Sequence, residues 1–199
     1  MKKAEKTKKL IIEKSAQLFN RRGYAGTSMQ DIAKEAGVTK GSIYGHNFKD
    51  KEEIALAAFD YNLQKLFGEL WKGMDQEPSA KGKLVFYCEF HRKHYKKILA
   101  YGGCPVLNSA IDSDDTHEKL NQKVRNTLQN WEVTLSGVIQ LGIAQKEFKK
   151  EVDAVYYANL FISLIEGSIM LAKTRKNGIY ILNALQHIEH LLQTIDINH

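Results

Sequence analysis

Thr27-Ser28-Met29-Gln30-Asp31-Ile32-Ala33-Lys34-Glu35-Ala36-Gly37-Val38-Thr39-Lys40-Gly41-Ser42-Ile43-Tyr44-Gly45 is the stretch on which the reading of this chain turns. Thr27 is a good N-cap, and Gln30, three residues on, can complete a capping box. A short helix over about 28–36 follows, with Met29, Ile32, Ala33 and Ala36 on its inner side. Gly37-Val38-Thr39 breaks it, and Thr39 can cap a third, very short helix reaching about Gly45. Two short helices joined by a tight glycine-containing turn form a helix-turn-helix pattern. The major groove of B-DNA admits one α-helix, whose N-terminal residues then face base edges. The second helix offers a cation at Lys40, a hydroxyl at Ser42 and two small residues, Gly41 and Gly45. Val38 and Ile43 are available for packing inward. The glycines lower helix propensity but allow close backbone approach to DNA, and a helix this weak must be held by tertiary packing.

Working outward, helical periodicity dominates. Leu10, Ile11, Lys14, Leu18 and Phe19 mark one face of a first helix over about 3–22, stopped by Gly23. A fourth helix is expected over about 49–71. From Gly73 the composition turns polar, and 74–83 reads as a connector before a helix over 84–99. Tyr101-Gly102-Gly103-Cys104-Pro105 reads as a sharp turn, with Pro105 suited to the first position of the next helix. Long helices are expected over 116–144, 152–174 and 179–195, the last two split at Asn177-Gly178. Ile179–Leu182 is compatible with extended backbone, but its neighbours read helical. The expected fold is all-α, with about nine helices. An N-terminal three-helix helix-turn-helix domain occupies 1–51, and a helical ligand-sensing and dimerisation domain occupies 52–199.

Charge follows the same division. The formal net charge is +6. Residues 1–51 hold 12 Lys/Arg against 5 Asp/Glu, while the remainder is nearly balanced. A basic module beside a near-neutral one is the electrostatic footprint of nucleic-acid binding, although Lys2, Lys3, Lys6, Lys8 and Lys9 also fit a solvated tail. Two cysteines cannot build a disulfide framework. No apolar core follows the lysine-rich start, so no secretory signal is read. The longest apolar stretch, 160–172, is short and interrupted by Glu166, so no membrane span is expected and the cytoplasm is the default location.

Residues 7–56 resemble the DNA-binding domain of the TetR family of bacterial regulators. The matching stretches run from Ile11 to Gly23-Tyr24, through Thr27–Ala33 and Ala36–Tyr44, to Phe48-Lys49-Asp50-Lys51-Glu52. One departure stands out: both His46 and Asn47 lie between Gly45 and Phe48, where the family places one residue. The resemblance implies phosphate contacts from Thr27 and Tyr44 and from Lys51 at the start of the fourth helix. It places Lys40 and Ser42 at the groove, with Lys40 the candidate to reach guanine O6/N7. Thr39 and His46 join them as DNA-facing candidates. Pure capping is the alternative role for Thr27 and Thr39, core packing for Tyr44 and a solvated charge for Lys51.

A single such module makes few contacts, and dimers remedy this by pairing half-sites of a palindromic operator. The family resemblance implies a homodimer in which the last two helices of each subunit form a four-helix bundle. Tyr156, Leu160, Leu164, Ile165, Gly167, Ser168 and Leu171, with Ile181, Leu185, Ile188, Leu191 and Leu192, supply the apolar faces. An effector, an unknown small molecule, would sit among Phe67, Tyr87, Phe90, His94, Trp131, Phe161 and Glu166, although helical aromatic stripes are also ordinary core. A carboxylate such as Glu166 in an apolar helix needs a partner or a polar pocket. Tyr101–Asn108 resembles a turn-plus-helix motif of one TetR branch, some of whose members respond to electrophiles or drugs. Cys104 near a helix N-terminus makes redox sensing an alternative to a structural thiol. Cys88, His91 and His94 recur at i, i+3 and i+6, but they span a wide arc without a fourth ligand, so neither metal nor cofactor is expected. An enzyme using Cys104 or Glu166 lacks paired carboxylates or a phosphate loop, and a nucleic-acid adaptor without sensing is the other alternative. The preferred reading is a ligand-responsive DNA-binding regulator, a repressor released from its operator.

Overall fold

The computed structural model describes residues 3–46 and 48–199, apart from the side chains of Lys3 and His46. Among these residues there are nine helices: α1 Lys3–Arg22, α2 Met29–Ala36, α3 Lys40–His46, α4 Lys51–Gln76, α5 Ala80–Tyr101, α6 Pro105–Ser113, α7 Glu118–Ala144, α8 Ala154–Arg175 and α9 Ile179–Ile195. The only extended pairing among them is an isolated antiparallel bridge between Phe148 and Asp196. The chain divides into two compact units, Met1–Leu66 with Tyr101–Val124, and Phe67–Ala100 with Arg125–His199.

Several helix ends differ from the sequence expectation, each for a local reason. The N-cap of α2 is Ser28, not Thr27, and the capping box closes with Asp31, not Gln30. The Ser28 hydroxyl accepts the Asp31 amide at 3.1 Å, and the Asp31 carboxylate accepts the Ser28 amide at 2.9 Å. α4 starts at Lys51 because Asp50 accepts the Glu53 amide at 2.8 Å in the preceding cap position. It also runs on through Gly73, against which Phe86 packs so closely that a Cβ would overlap its ring. The expected connector over 74–83 shrinks accordingly. Ser79 accepts the Gly82 amide at 2.9 Å and starts α5 at Ala80. His117 caps α7, its Nδ1 accepting the Leu120 amide at 3.2 Å. Gly102 and Gly103 take positive φ at 116° and 93°, and Pro105 opens α6 as expected.

In the first unit, α1, α2 and α3 enclose a core of Ile11, Leu18, Ile32, Ala33, Ala36, Ile43, Phe48 and Ile54. α6 packs on α1 in the same unit through a polar seam. Buried Asn20 donates to the carbonyls of Tyr101 and Gly103, both at 3.2 Å, and accepts from Asn108 at 2.8 Å. Asn62, also buried, donates to the Ala16 carbonyl at 3.0 Å and accepts the Tyr101 hydroxyl at 2.8 Å. The tight Tyr101–Gly103 turn thereby has its carbonyls satisfied away from water.

In the second unit, α8 packs along α9. α8 is long and apolar enough to cross a membrane by length and composition, but Ala158, Phe161, Ile165, Ile169 and Ala172 are buried against the protein. A clasp joins the α5 start to the C-terminal segment: Glu147 accepts the Lys81 amide at 2.7 Å, Lys81 pairs with buried Asp196, and Ile197 donates to the Glu147 carbonyl at 3.0 Å.

Candidate nucleic-acid interface

The α2–α3 turn is built by Gly37 at φ 64°, the left-handed region that glycine adopts without steric cost. The Val38 amide then returns to the Ala33 carbonyl at 3.0 Å, so the chain reverses within three residues. Thr39 caps α3 as expected, its hydroxyl accepting the Ser42 amide at 3.1 Å. Ile43 is fully buried and is the peg that holds this glycine-containing helix in place. Lys40, Gly41, Tyr44 and Gly45 are exposed and Ser42 half-buried. Tyr44 keeps 47% of its surface, which sets aside core packing as its role. No atom lies within 4 Å of a Cβ built on Gly45, so that glycine is not required by packing inside the protein.

Two residues with expected DNA-facing roles are turned inward. Thr27 is fully buried, and its hydroxyl donates to the Gly23 carbonyl at 2.8 Å. It closes the α1–α2 turn and offers no surface to a phosphate; the exposed hydroxyl there belongs to Ser28. Lys51 donates to the carbonyls of Tyr24 and Thr27 at 2.8 and 3.0 Å, and its ammonium stands 4.0 Å from the centre of the Tyr24 ring. It clamps that turn. The structural signal was available in the sequence only as spacing, because carbonyl geometry decides where a long flexible amine ends. The side chain of His46, and Asn47, lie outside the described residues.

The residues expected around an effector all lie in the second unit, and several pair there. Phe67 meets Trp131 edge to face at 4.9 Å and stacks on Trp71 at 5.2 Å. Phe90 stacks on His94 at 4.5 Å. Phe67, Tyr87, Phe90, Trp131 and Phe161 are buried, whereas His94 and Glu166 are half-buried. Burial drives the His91 imidazole down to about 4, and its Nδ1–H donates to the Tyr87 carbonyl at 2.8 Å. Burial pushes the Cys88 thiol up to about 12. Cys104 is 1% exposed and gives an electrophile no surface to attack.

Of the residues expected in a dimer seam, Ile165, Ser168, Ile181, Leu185, Ile188 and Leu192 are buried within the subunit and form its own core. Tyr156 and Leu171 remain exposed, joined by Val155, Met170 and Ile179.

A capped scaffold helix, a glycine reversal and an outward second helix carrying a lysine and a tyrosine define a DNA-binding helix-turn-helix protein. Comparison with known proteins sharpens this. Residues 11–58 match the family described as bacterial regulatory proteins, tetR family, and residues 80–188 match the tetracyclin repressor-like C-terminal domain. A TetR-family regulator from Cytophaga hutchinsonii is 36% identical, with a TM-score of 0.91 and coverage of 99% of this chain and 98% of that one. A TetR regulator from Chloroflexus aurantiacus is 35% identical, with a TM-score of 0.92 and 98% of both chains covered. An HTH-type transcriptional regulator from Lactococcus lactis is 30% identical over 94% of this chain and 92% of its own length. The chain belongs to the TetR family of transcriptional regulators, DNA-binding proteins that typically dimerise and are typically ligand-responsive repressors.

Proposed function

We propose that this chain is a cytoplasmic repressor that binds a palindromic operator as a homodimer and is released by a small molecule. The observation that carries the DNA reading is the division of α3: Ile43 is buried while Lys40 and Tyr44, one turn apart, are exposed. Lys40, with Thr39 and Ser42, reads base edges, Lys40 being suited to guanine O6/N7. Tyr44 and Ser28 meet phosphates, which fix register rather than sequence. Lys51 acts at one remove, by holding the turn that presents Ser28.

The dimer uses the outer faces of α8 and α9, where Tyr156, Met170, Leu171 and Ile179 leave apolar surface uncovered. The effector site lies among the aromatics of the second unit, Phe67, Tyr87, Phe90, His94, Trp131 and Phe161 with Glu166, and occupation shifts the population away from the operator-competent state. The Tyr101–Asn108 turn supports a place in the TetR branch that shares it. A repressor of this kind selects one duplex from a random-sequence pool, with an affinity ratio over random DNA of roughly 10³ or more. Selection followed by anisotropy titration tests the reading. Equal affinity for selected and random duplexes would sink it.

A further inference from the structure

α1 begins well before the core it serves. Its first fully buried residue is Ile11, whereas Ala4, Glu5, Lys6, Lys8, Lys9 and Leu10 are exposed. About two turns of helix therefore project beyond the helix-turn-helix core. An unpacked helical end contributes little to stability, and clustered like charges oppose it. Here three lysines fall within four residues, with Glu5 the acidic residue of the first turn.

The extension is tied to a definite place. The Lys8 ammonium stands 5.0 Å from the centre of the Phe48 ring. Phe48 is itself buried, and its amide donates to the Ile43 carbonyl at 3.1 Å, which fixes it at the C-terminal end of α3. The lysine-bearing turns thus lie beside the end of the helix that carries Lys40 and Tyr44, and exposed Lys49 adjoins Phe48 in the same place. With α3 in a major groove, a sugar–phosphate backbone borders that end, and its negative charge complements that of the lysines.

We propose that the two N-terminal turns of α1 form a second DNA contact, in which Lys6, Lys8 and Lys9 neutralise backbone phosphates flanking the half-site. This rests on the assignment of α3 as the recognition helix. Such contacts carry no base preference, so the arm adds affinity and salt dependence to every duplex long enough to reach it.

The test uses the full chain and the variant Lys6→Gln/Lys9→Gln, both positions exposed. Each is titrated by anisotropy over a range of salt concentrations against the selected operator duplex with long flanks and the same duplex trimmed to its half-sites. The expected result is a shallower salt slope for the variant on the long duplex, by about 0.9 for each lysine removed from a phosphate. Trimming should weaken the wild type more than the variant, which keeps only Lys8 of the three lysines. An unchanged slope, or equal losses on long and trimmed duplexes, would overturn the arm. If no operator can be selected, the α3 assignment fails separately, and the slope comparison on a random duplex still decides whether the lysines meet phosphates.

Discussion

The ammonium of Lys51 sits over the ring of Tyr24, 4.0 Å from its centre, while donating to the Tyr24 carbonyl at 2.8 Å. One side chain therefore ties the first turn of α4 to the start of the α1–α2 turn, 27 residues earlier in sequence. Lys51→Met keeps the aliphatic stem and removes the charge and donors. It leaves the carbonyls of Tyr24 and Thr27 without this donor, at a cost of about 1–3 kcal/mol. Denaturant unfolding should show that loss, and DNA affinity should fall alike for all sequences. A lysine serving only as a phosphate contact would leave folding stability at the wild-type value, and that outcome would refute the clamp.

On α3 the reverse split is expected. Tyr44 and Lys40 are exposed, so alanine at either position should change stability by less than about 0.5 kcal/mol. Tyr44→Ala should weaken binding to selected and random duplexes by the same factor. Lys40→Ala should instead lower the preference for the selected duplex, by about 1–3 kcal/mol of discrimination. Competition titrations with the two duplexes separate these effects. Uniform weakening by Lys40→Ala would place that side chain on the backbone rather than on a base.

What was legible in the sequence and what was not divide along physical lines. The α2–α3 reversal was readable because Gly37 must take positive φ, and the Thr39 cap because a hydroxyl before a helix reaches the amide three residues on. The swap of Thr27 for Ser28 was not, since adjacent hydroxyls compete for one cap and burial decides between them. Gly73 reads as a break by propensity, yet it is a helical contact with Phe86, a partner 13 residues away that no local rule identifies. α8 shows the same limit. It is apolar nearly all round, so periodicity could not separate Ile165, which fills the subunit's own core, from Tyr156 and Leu171, which remain outside.

The seam between α1 and α6 yields a further test. Asn20 is 5% exposed and satisfies two carbonyls of the Tyr101–Gly103 turn as well as the Asn108 amide. Asn20→Ala removes all three bonds together and should cost about 2–3 kcal/mol, since buried polar partners are left unmet. Asn20→Asp keeps the acceptor for Asn108 but turns a donor into a charge beside two carbonyls, and should cost at least as much. Thermal melts of both variants give the answer. Wild-type stability in Asn20→Ala would mean that α6 is held to α1 by its apolar contacts alone.

Acid should weaken the second unit through two groups of different kind. His91 is buried and neutral, and its folded value of about 4 lies below the ordinary 6.5. The unfolded chain therefore binds a proton that the folded chain refuses. The resulting stability is fully present above about pH 6.5 and is lost as the pH falls toward 4, by up to about 3 kcal/mol. The Asp196 carboxyl is held below the usual range, first by its hydrogen bond from Lys81 and then by the Asn198 amide. Its share is intact above the ordinary carboxylate value of 3.8 and disappears only as the pH falls further, through the lowered folded value. The two contributions thus separate on the pH axis. His91→Gln should flatten the slope of unfolding free energy between pH 6.5 and 4 while leaving the drop below pH 4, and Asp196→Asn should do the opposite. Denaturant titrations at closely spaced pH values resolve the two windows. A His91→Gln profile parallel to the wild type from pH 6.5 to 4 would show that the imidazole takes up its proton in the folded chain as readily as in the unfolded one.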